Sequence, residues 1–262
     1  MFKWNPADYA ANSSTQMAWA KALLARLALH GDERILDVGC GDGQVTALLA
    51  QAVPRGHVVG CDSSSDMIAH ARQQHRQGNL EFAPADARDL RLPDRFNVLF
   101  SNAALHWVDD HRAFLHGAAR MLCPGGRLMV SCGGRGNAAD VFAAVRAELR
   151  RTAWRECFRR MRPAYFFHSA EEYQVWLPAS GFRAERVRLA EKDGAHPGRE
   201  GFAAWFRTTW LPYTQRVPED RREAFVTAVT DRYLAKHPPD DAGTVHVRMV
   251  RLEIEAVRTE TG

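Results

Sequence analysis

No stretch of this chain approaches the roughly eighteen consecutive apolar residues of a membrane span, so no transmembrane helix is expected. The first sixteen residues, MFKWNPADYAANSSTQ, lack the apolar run of a secretory signal, and the expectation is a cytoplasmic protein without a membrane partner. Cysteine is sparse. The five residues at 40, 61, 123, 132 and 157 form no CxxC pair and no Cys/His metal spacing, which argues against a disulfide framework and a metal site. Lysine is nearly missing, at positions 3, 21, 192 and 236 alone, so the small net charge of +4 rests on arginine and reads as compositional bias. No repeat, linker or low-complexity run is visible. What remains, 262 residues with 46% apolar and 25% charged, is the composition of a folded protein that can bury one large core.

Present instead is an alternation. RILDV (34–38), HVVGC (57–61), LEFA (80–83), FNVLFS (96–101) and GRLMVSC (126–132) read as strands, and QVTALLAQAV, SDMIAHARQQH and HRAFLHGAARML between them carry apolar residues at helical spacing. Strand and helix in repeated alternation predict an α/β fold, a parallel sheet covered on both faces. Residues 13–29 predict an amphipathic helix with Trp19, Leu23 and Leu27 on one side. Beyond 138 the pattern predicts a long helix over 141–161, a strand FRAERVRL and a second helical block. The run VHVRMVRLEIEAV (245–257) switches apolar parity across Val250 and Arg251, as a bulged strand would. The expected organisation is a single domain: a lid helix in 1–30, a core over 31–135, helical cap insertions with one strand over 136–244, and a last strand at 245–257.

The sharpest motif, Asp37-Val-Gly39-Cys40-Gly41-Asp42-Gly43-Gln44, falls where the first strand meets the first helix. Glycines there let the chain turn sharply and let a ligand lie against bare backbone. A dinucleotide loop, GxGxxG, would be the oxidoreductase alternative, but the third glycine comes one position early and Gln44 stands in its place. Two acids, Asp37 and Asp42, suit a ligand bearing an ammonium and a sulfonium better than a pyrophosphate. Asp62 closes the second strand, where a carboxylate accepts from ribose hydroxyls; Asp86-Ala87 follows the third, facing an adenine edge; and Ser101-Asn102 ends the fourth.

With these residues the chain resembles the class I S-adenosylmethionine-dependent methyltransferases, through ILDVGCGDGQVT, GCDSSSDMIAHA, PADARDL, FNVLFSNAALHWV and MLCPGGRLMV in the expected order. The resemblance implies a Rossmann-like sheet of seven strands, six parallel and one antiparallel. It also implies S-adenosyl-L-methionine as cofactor, with S-adenosyl-L-homocysteine as product. The cofactor-binding set so implied is Asp37, Gly39, Cys40, Gly41, Gly43, Gln44, Asp62, Ser63, Met67, Asp86, Ala87 and Asn102. Met67 is equally readable as plain core, and Cys123, in a turn before the fifth strand, as structural.

The fourth strand carries Asn102-Ala-Ala-Leu-His106-Trp107 in place of the Asn/Asp-Pro-Pro-aromatic motif of nucleic-acid amine methylation, so no nucleic-acid partner is expected. Together with the N-terminal segment and FAAWFRTTWLPY, SNAALHWV is similar to small-molecule carboxyl O-methyltransferases, including their trans-aconitate and juvenile hormone acid branches. Gln16 and Trp107 match positions that meet the acceptor carboxylate in the second branch, which makes them, with His106, the catalytic candidates. The acceptor so implied is a small carboxylic acid, already ionised at neutral pH and in need of no base. A phenol acceptor with His106 as base is the alternative, and a non-catalytic cofactor-binding sensor or assembly protein is a rival of another class. Trp107 also reads as a core aromatic, Gln16 as a solvated helix residue and His106 as a packing residue.

Overall fold

The computed structural model describes residues 14–259, with side chains from residue 17 onward. The β-branched runs form β1 (Arg34–Val38), β2 (His57–Asp62), β3 (Leu80–Pro84), β4 (Phe96–Asn102), β5 (Leu122–Gly133), β6 (Phe182–Pro197) and β7 (Thr244–Arg258). The segments of helical spacing form α1 (Ser14–Ala25), α2 (Gln44–Ala52), α3 (Ser65–Gln74), α4 (His111–Met121), α5 (Ala139–Leu149), α6 (Ala170–Ala179), α7 (Gly198–Thr209) and α8 (Arg222–Leu234). Side-chain caps set several starts: Ser64 accepts from Met67 N, Asp110 from Ala113 N, and Ser169 with Glu172 closes a capping box at α6.

The sheet runs β3-β2-β1-β4-β5-β7-β6. β1 pairs in parallel with β2 and β4, β2 with β3, and β4 with β5, while β5 and β7 are antiparallel. The seven-stranded expectation therefore holds, with β7 as the reversed strand. Consecutive residues of each central strand enter opposite layers. Ile35, Val58, Val98, Phe100 and Met129 pack with Leu23, Leu27, Leu49 and Val53, whereas Leu36, Val38, Leu99, Leu128 and Val130 pack with Phe114, Leu115, Tyr173 and Leu177. Burial on both sides is why these strands read as unbroken apolar runs. Strand order reverses between β1 and β4, which opens a crevice at their C-terminal ends.

Contacts divide the described chain into two units, one built from 16–135, 165–190 and 251–259 and the other from 14–15, 136–164 and 191–250. The sheet unit includes 165–190, a stretch assigned to the cap insertions from sequence, because Tyr173 and Leu177 are fully buried in its core. In the helical unit the long helix expected over 141–161 is broken. α5 ends at Leu149, Arg151 is extended, and a single turn (Thr152–Arg155) follows. The break lets the Trp154 indole N–H reach back to the buried Glu148 carboxylate at 3.2 Å, where Arg232 also donates at 2.5 Å. The predicted parity switch in β7 is real, with Val245 and Val247 buried and then Val250, Leu252, Ile254 and Ala256.

Candidate active site

The turn after β1 is shaped by left-handed backbone at Gly39 and Gly41, with φ of 77° and 55°. The two positions differ in what surrounds them. A methyl group on Gly39 would fall inside the Ala104 side chain, so the loop presses directly on the turn that follows β4. A methyl group on Gly41 would meet none of the described residues within 4 Å. Bare backbone facing open space is what a closely held ligand requires. Gly39 N and Cys40 N donate to Cys61 O at 2.7 and 3.0 Å, which ties the loop to the end of β2. Gln44 closes it by donating from N and Nε2 to the Asp42 carboxylate at 3.2 and 2.7 Å, and Gly43 begins α2 against Phe82. Cys40 is buried, and burial pushes its thiol well above its ordinary range, so it is an inert part of the loop.

Two carboxylates stand behind this loop. Asp37 is 2% exposed and accepts from Thr46 Oγ1 at 2.8 Å. Burial pushes its pKa up to about 7, against the Thr46 hydrogen bond and assisted by the charge of Asp62. Asp62 accepts from Gly41 N at 3.1 Å and from Ser64 N at 2.9 Å, and burial raises its pKa although the N–H groups of Ser64, Gly41 and Ser63 oppose the rise. Adjacent acids with raised pKa values are electrostatically unfavourable, and an incoming cation relieves them where a pyrophosphate would not. Ser63 is exposed beside Asp62, and Met67 is buried in the first turn of α3. Asp86, half-exposed beyond β3, is engaged by Arg88, whose guanidinium donates to it at 2.6 Å and holds its carboxyl below the usual range. Arg88 also reaches Asp109 at 3.1 Å, which ties the Asp86-Ala87 corner to the segment following Trp107. The structure thus brings the cofactor candidates of β1 and β2 into direct contact and places those of β3 and β4 on the same rim.

The end of β4 carries the second half of the site. Ser101 Oγ donates to Val38 O at 2.8 Å, and Asn102 Oδ1 accepts from the Arg251 guanidinium at 3.1 Å. A 3-10 turn, Leu105–Trp107, follows. His111 steadies it. Its Nε2 donates to Leu105 O at 2.8 Å, so its Nδ1 accepts from the Tyr173 hydroxyl at 2.6 Å. Gly133 N donates to Nδ1 of His106 at 3.3 Å, which puts the single proton of the neutral ring on Nε2. Burial of the imidazole, with the charges of Arg251 and His111 adding to it, drives its pKa down to about 3. His106 is therefore neutral throughout the physiological range and a poor proton acceptor. Phe166 N donates to His106 O at 2.9 Å, and the Tyr165 ring lies 4.6 Å from that of Trp107. Gln16 falls in the first turn of α1, three residues before Trp19, and its side chain is outside the described part of the structure.

Cys123 lies near the start of β5, at the opposite end of the strands from Asn102, far from this crevice. Among the described residues no group of three or more His, Cys, Asp or Glu is placed to hold a metal ion, and no helix is long and apolar enough to cross a membrane. Sequence reasoning missed Arg251 and the packing of 165–168 on the turn of Trp107. The only trace of the first was an arginine at the parity switch of an apolar run.

Comparison with known proteins agrees with this geometry. The family described as "Methyltransferase domain" matches residues 35–126, from β1 to the glycine before the long part of β5. Trans-aconitate 2-methyltransferase of Methylobacterium nodulans is 30% identical, over 99% of this chain and 100% of that protein. A putative methyltransferase from Bacillus halodurans superposes with a TM-score of 0.64 at 20% identity, covering 92% of this chain and 99% of that one. A phosphoethanolamine N-methyltransferase from Haemonchus contortus, solved with phosphomonomethylethanolamine and S-adenosylhomocysteine, superposes at 0.61 with 16% identity over 97% of this chain and 57% of that one. At these identities the two solved structures speak to the fold alone.

Proposed function

The chain belongs to the S-adenosylmethionine-dependent methyltransferases, and on that premise we propose that it methylates a carboxylate oxygen of a small organic acid. The open backbone at Gly41 and the groups around it fit the cofactor: Asp62 offers a carboxylate to its ribose, the buried Asp37 stands behind the loop toward its cationic end, and Ser63, Met67, Asp86 and Ala87 lie along the adenosine side. When bound, it supplies a sulfonium methyl that a carboxylate oxygen takes directly, the sulfur keeping the bonding pair as a thioether.

One observation carries the choice of acceptor. His106, the base that a phenol would need, is held neutral with Nδ1 already filled by Gly133 N–H and with a pKa of about 3. A phenol of pKa about 10 gains nothing from such a base, whereas a carboxylic acid of pKa about 4 is already a nucleophile at pH 7. Trp107 and Gln16 are the proposed neutral donors that orient it, since a neutral N–H holds a carboxylate without quenching its lone pairs as a tight ion pair would. The trans-aconitate methyltransferases to which the chain is similar act, by their name, on such an acid.

A methyl-transfer screen with labelled cofactor tests this reading, with trans-aconitate, simpler mono- and dicarboxylic acids, phenols and amines as acceptors. Methyl esters of one or more acids are expected. Methylation of a phenol or amine in preference to every acid overturns the reading, as does tight cofactor binding with no transfer to any acceptor, which is the behaviour of a sensor.

A further inference from the structure

Charge changes sign along the C-terminal rim of the sheet. Asp62 and, behind it, the buried Asp37 stand at the ends of β2 and β1, while Asp86 beyond β3 is already paired with Arg88. Across β4, on the other side, stands Arg251 of β7, paired with Gly133 at the end of β5 and only 4% exposed. Its Nε donates to Ser131 Oγ at 3.1 Å, and one terminal nitrogen donates to Ser131 O at 2.6 Å, to Ser131 Oγ at 3.0 Å and to Asn102 Oδ1 at 3.1 Å. The guanidinium also lies over the Trp19 ring, 5.3 Å from its centre, three residues along α1 from Gln16. So many fixed contacts leave the side chain one position.

Arginine has donors and no acceptor, so the Asn102 amide has one orientation beside it: Oδ1 faces the guanidinium and the Nδ2 amino group faces away. That amino group sits at the end of β4, one residue before the tight turn at Ala103 and four before His106. A hydrogen bond from a cation to the amide oxygen also polarises the amide and strengthens its N–H groups as donors to an anion.

We propose that Asn102 and Arg251 recognise the acceptor anion: Asn102 Nδ2 donates to an acceptor carboxylate, and Arg251 is a positioning residue that orients the amide and supplies fixed positive charge. This inference rests on the carboxylate reading above and assigns two residues to it. It also moves Asn102 from the cofactor, where the sequence put it, to the acceptor. The carboxylates at the ends of β1 and β2 then draw the cationic methyl donor to one side of β4, and Arg251 draws the anionic acceptor to the other. By acting through Asn102, the guanidinium adds attraction without pairing with the oxygen that reacts.

Asn102→Asp is the first test, because an aspartate keeps a partner for Arg251, and so the fold, while replacing the donor by a negative charge. Steady-state kinetics with trans-aconitate, or with the acid found best in the screen, should show KM raised at least about thirtyfold, with kcat changed less than about threefold. Calorimetry with S-adenosylhomocysteine should give a Kd within about threefold of wild type. Arg251→Lys keeps the charge but loses the fork, so its KM should fall between wild type and Arg251→Met, in folded protein verified by its melting temperature. A merely structural Arg251 would lower the melting temperature of both variants and leave KM unordered by charge. Unchanged KM in folded Asn102→Asp overturns the inference alone, as does a loss of S-adenosylhomocysteine affinity in step with KM, which would return Asn102 to the cofactor. A wild-type protein that esterifies no acid overturns the carboxylate reading and this inference with it.

Discussion

Alanine at Gly39 and alanine at Gly41 are the same chemical change two residues apart, and the structure gives them opposite consequences. Both positions have positive φ, 77° and 55°, where a Cβ costs roughly 1–2 kcal/mol. At Gly39 the new methyl also collides with the Ala104 side chain, and forcing an extra carbon into a packed site costs about 1–3 kcal/mol more. The total of about 2–5 kcal/mol corresponds to a fall in Tm of roughly 4–20 °C, at about 2–4 °C per kcal/mol for a chain of this size. At Gly41 no described residue stands in the way, so only the conformational cost is expected, a fall of roughly 2–8 °C. Binding should reverse the order. Gly41→Ala fills the space against which the cofactor is read to lie and should weaken S-adenosylhomocysteine by at least about tenfold, or 1.4 kcal/mol. Gly39→Ala, whose methyl group points at Ala104, should lose less affinity than Gly41→Ala in the protein that folds. Differential scanning calorimetry gives the melting temperatures and isothermal titration the affinities. Undiminished affinity in Gly41→Ala would refute the placement of the ligand, and equal melting temperatures for the two variants would refute the close approach of the loop to Ala104.

Asp62→Ala should weaken S-adenosylhomocysteine by about 1–3 kcal/mol through loss of charged hydrogen bonds, and unchanged affinity in the titration would contradict the ribose role. Asp37 titrates near 7 in the folded protein against an ordinary value of 3.8, so between those values the folded state keeps a proton that the unfolded state has released. Its contribution to stability is therefore lost as pH rises through that window, and the melting temperature of cofactor-free Asp37→Asn should gain on wild type from pH 4 to pH 8; a constant difference would show that Asp37 ionises normally. With His106 neutral at a pKa of about 3, kcat/KM should show no imidazole inflection between pH 6 and 8. An inflection in the wild type that disappears in His106→Gln would restore the imidazole as a base. Trp107→Phe should slow transfer while sparing cofactor affinity, and unaltered kinetics would leave Trp107 as packing.

What the chain determined by itself was local. Five strand runs, the glycine turn and the carboxylates at successive strand ends were all legible, because β-branched patterning, left-handed glycines and turn residues act over a few neighbouring positions. Local patterning failed where a distant partner decided the outcome. The helix expected across 141–161 breaks at Arg150 and Arg151, where the buried carboxylate of Glu148 gathers Trp154 and, from 84 positions on, Arg232. His106 read as base or as packing residue until the structure filled Nδ1 with Gly133 N–H from β5. Arg251 and Asn102 are 149 positions apart and meet only because β7 runs antiparallel to β5 in a register that sets Arg251 beside Gly133. A side chain's charge state and orientation depend on burial and on partners supplied by other strands, so the proposed bed for the methyl donor could be read along the chain, while the proposed acceptor side took shape only once the sheet had assembled.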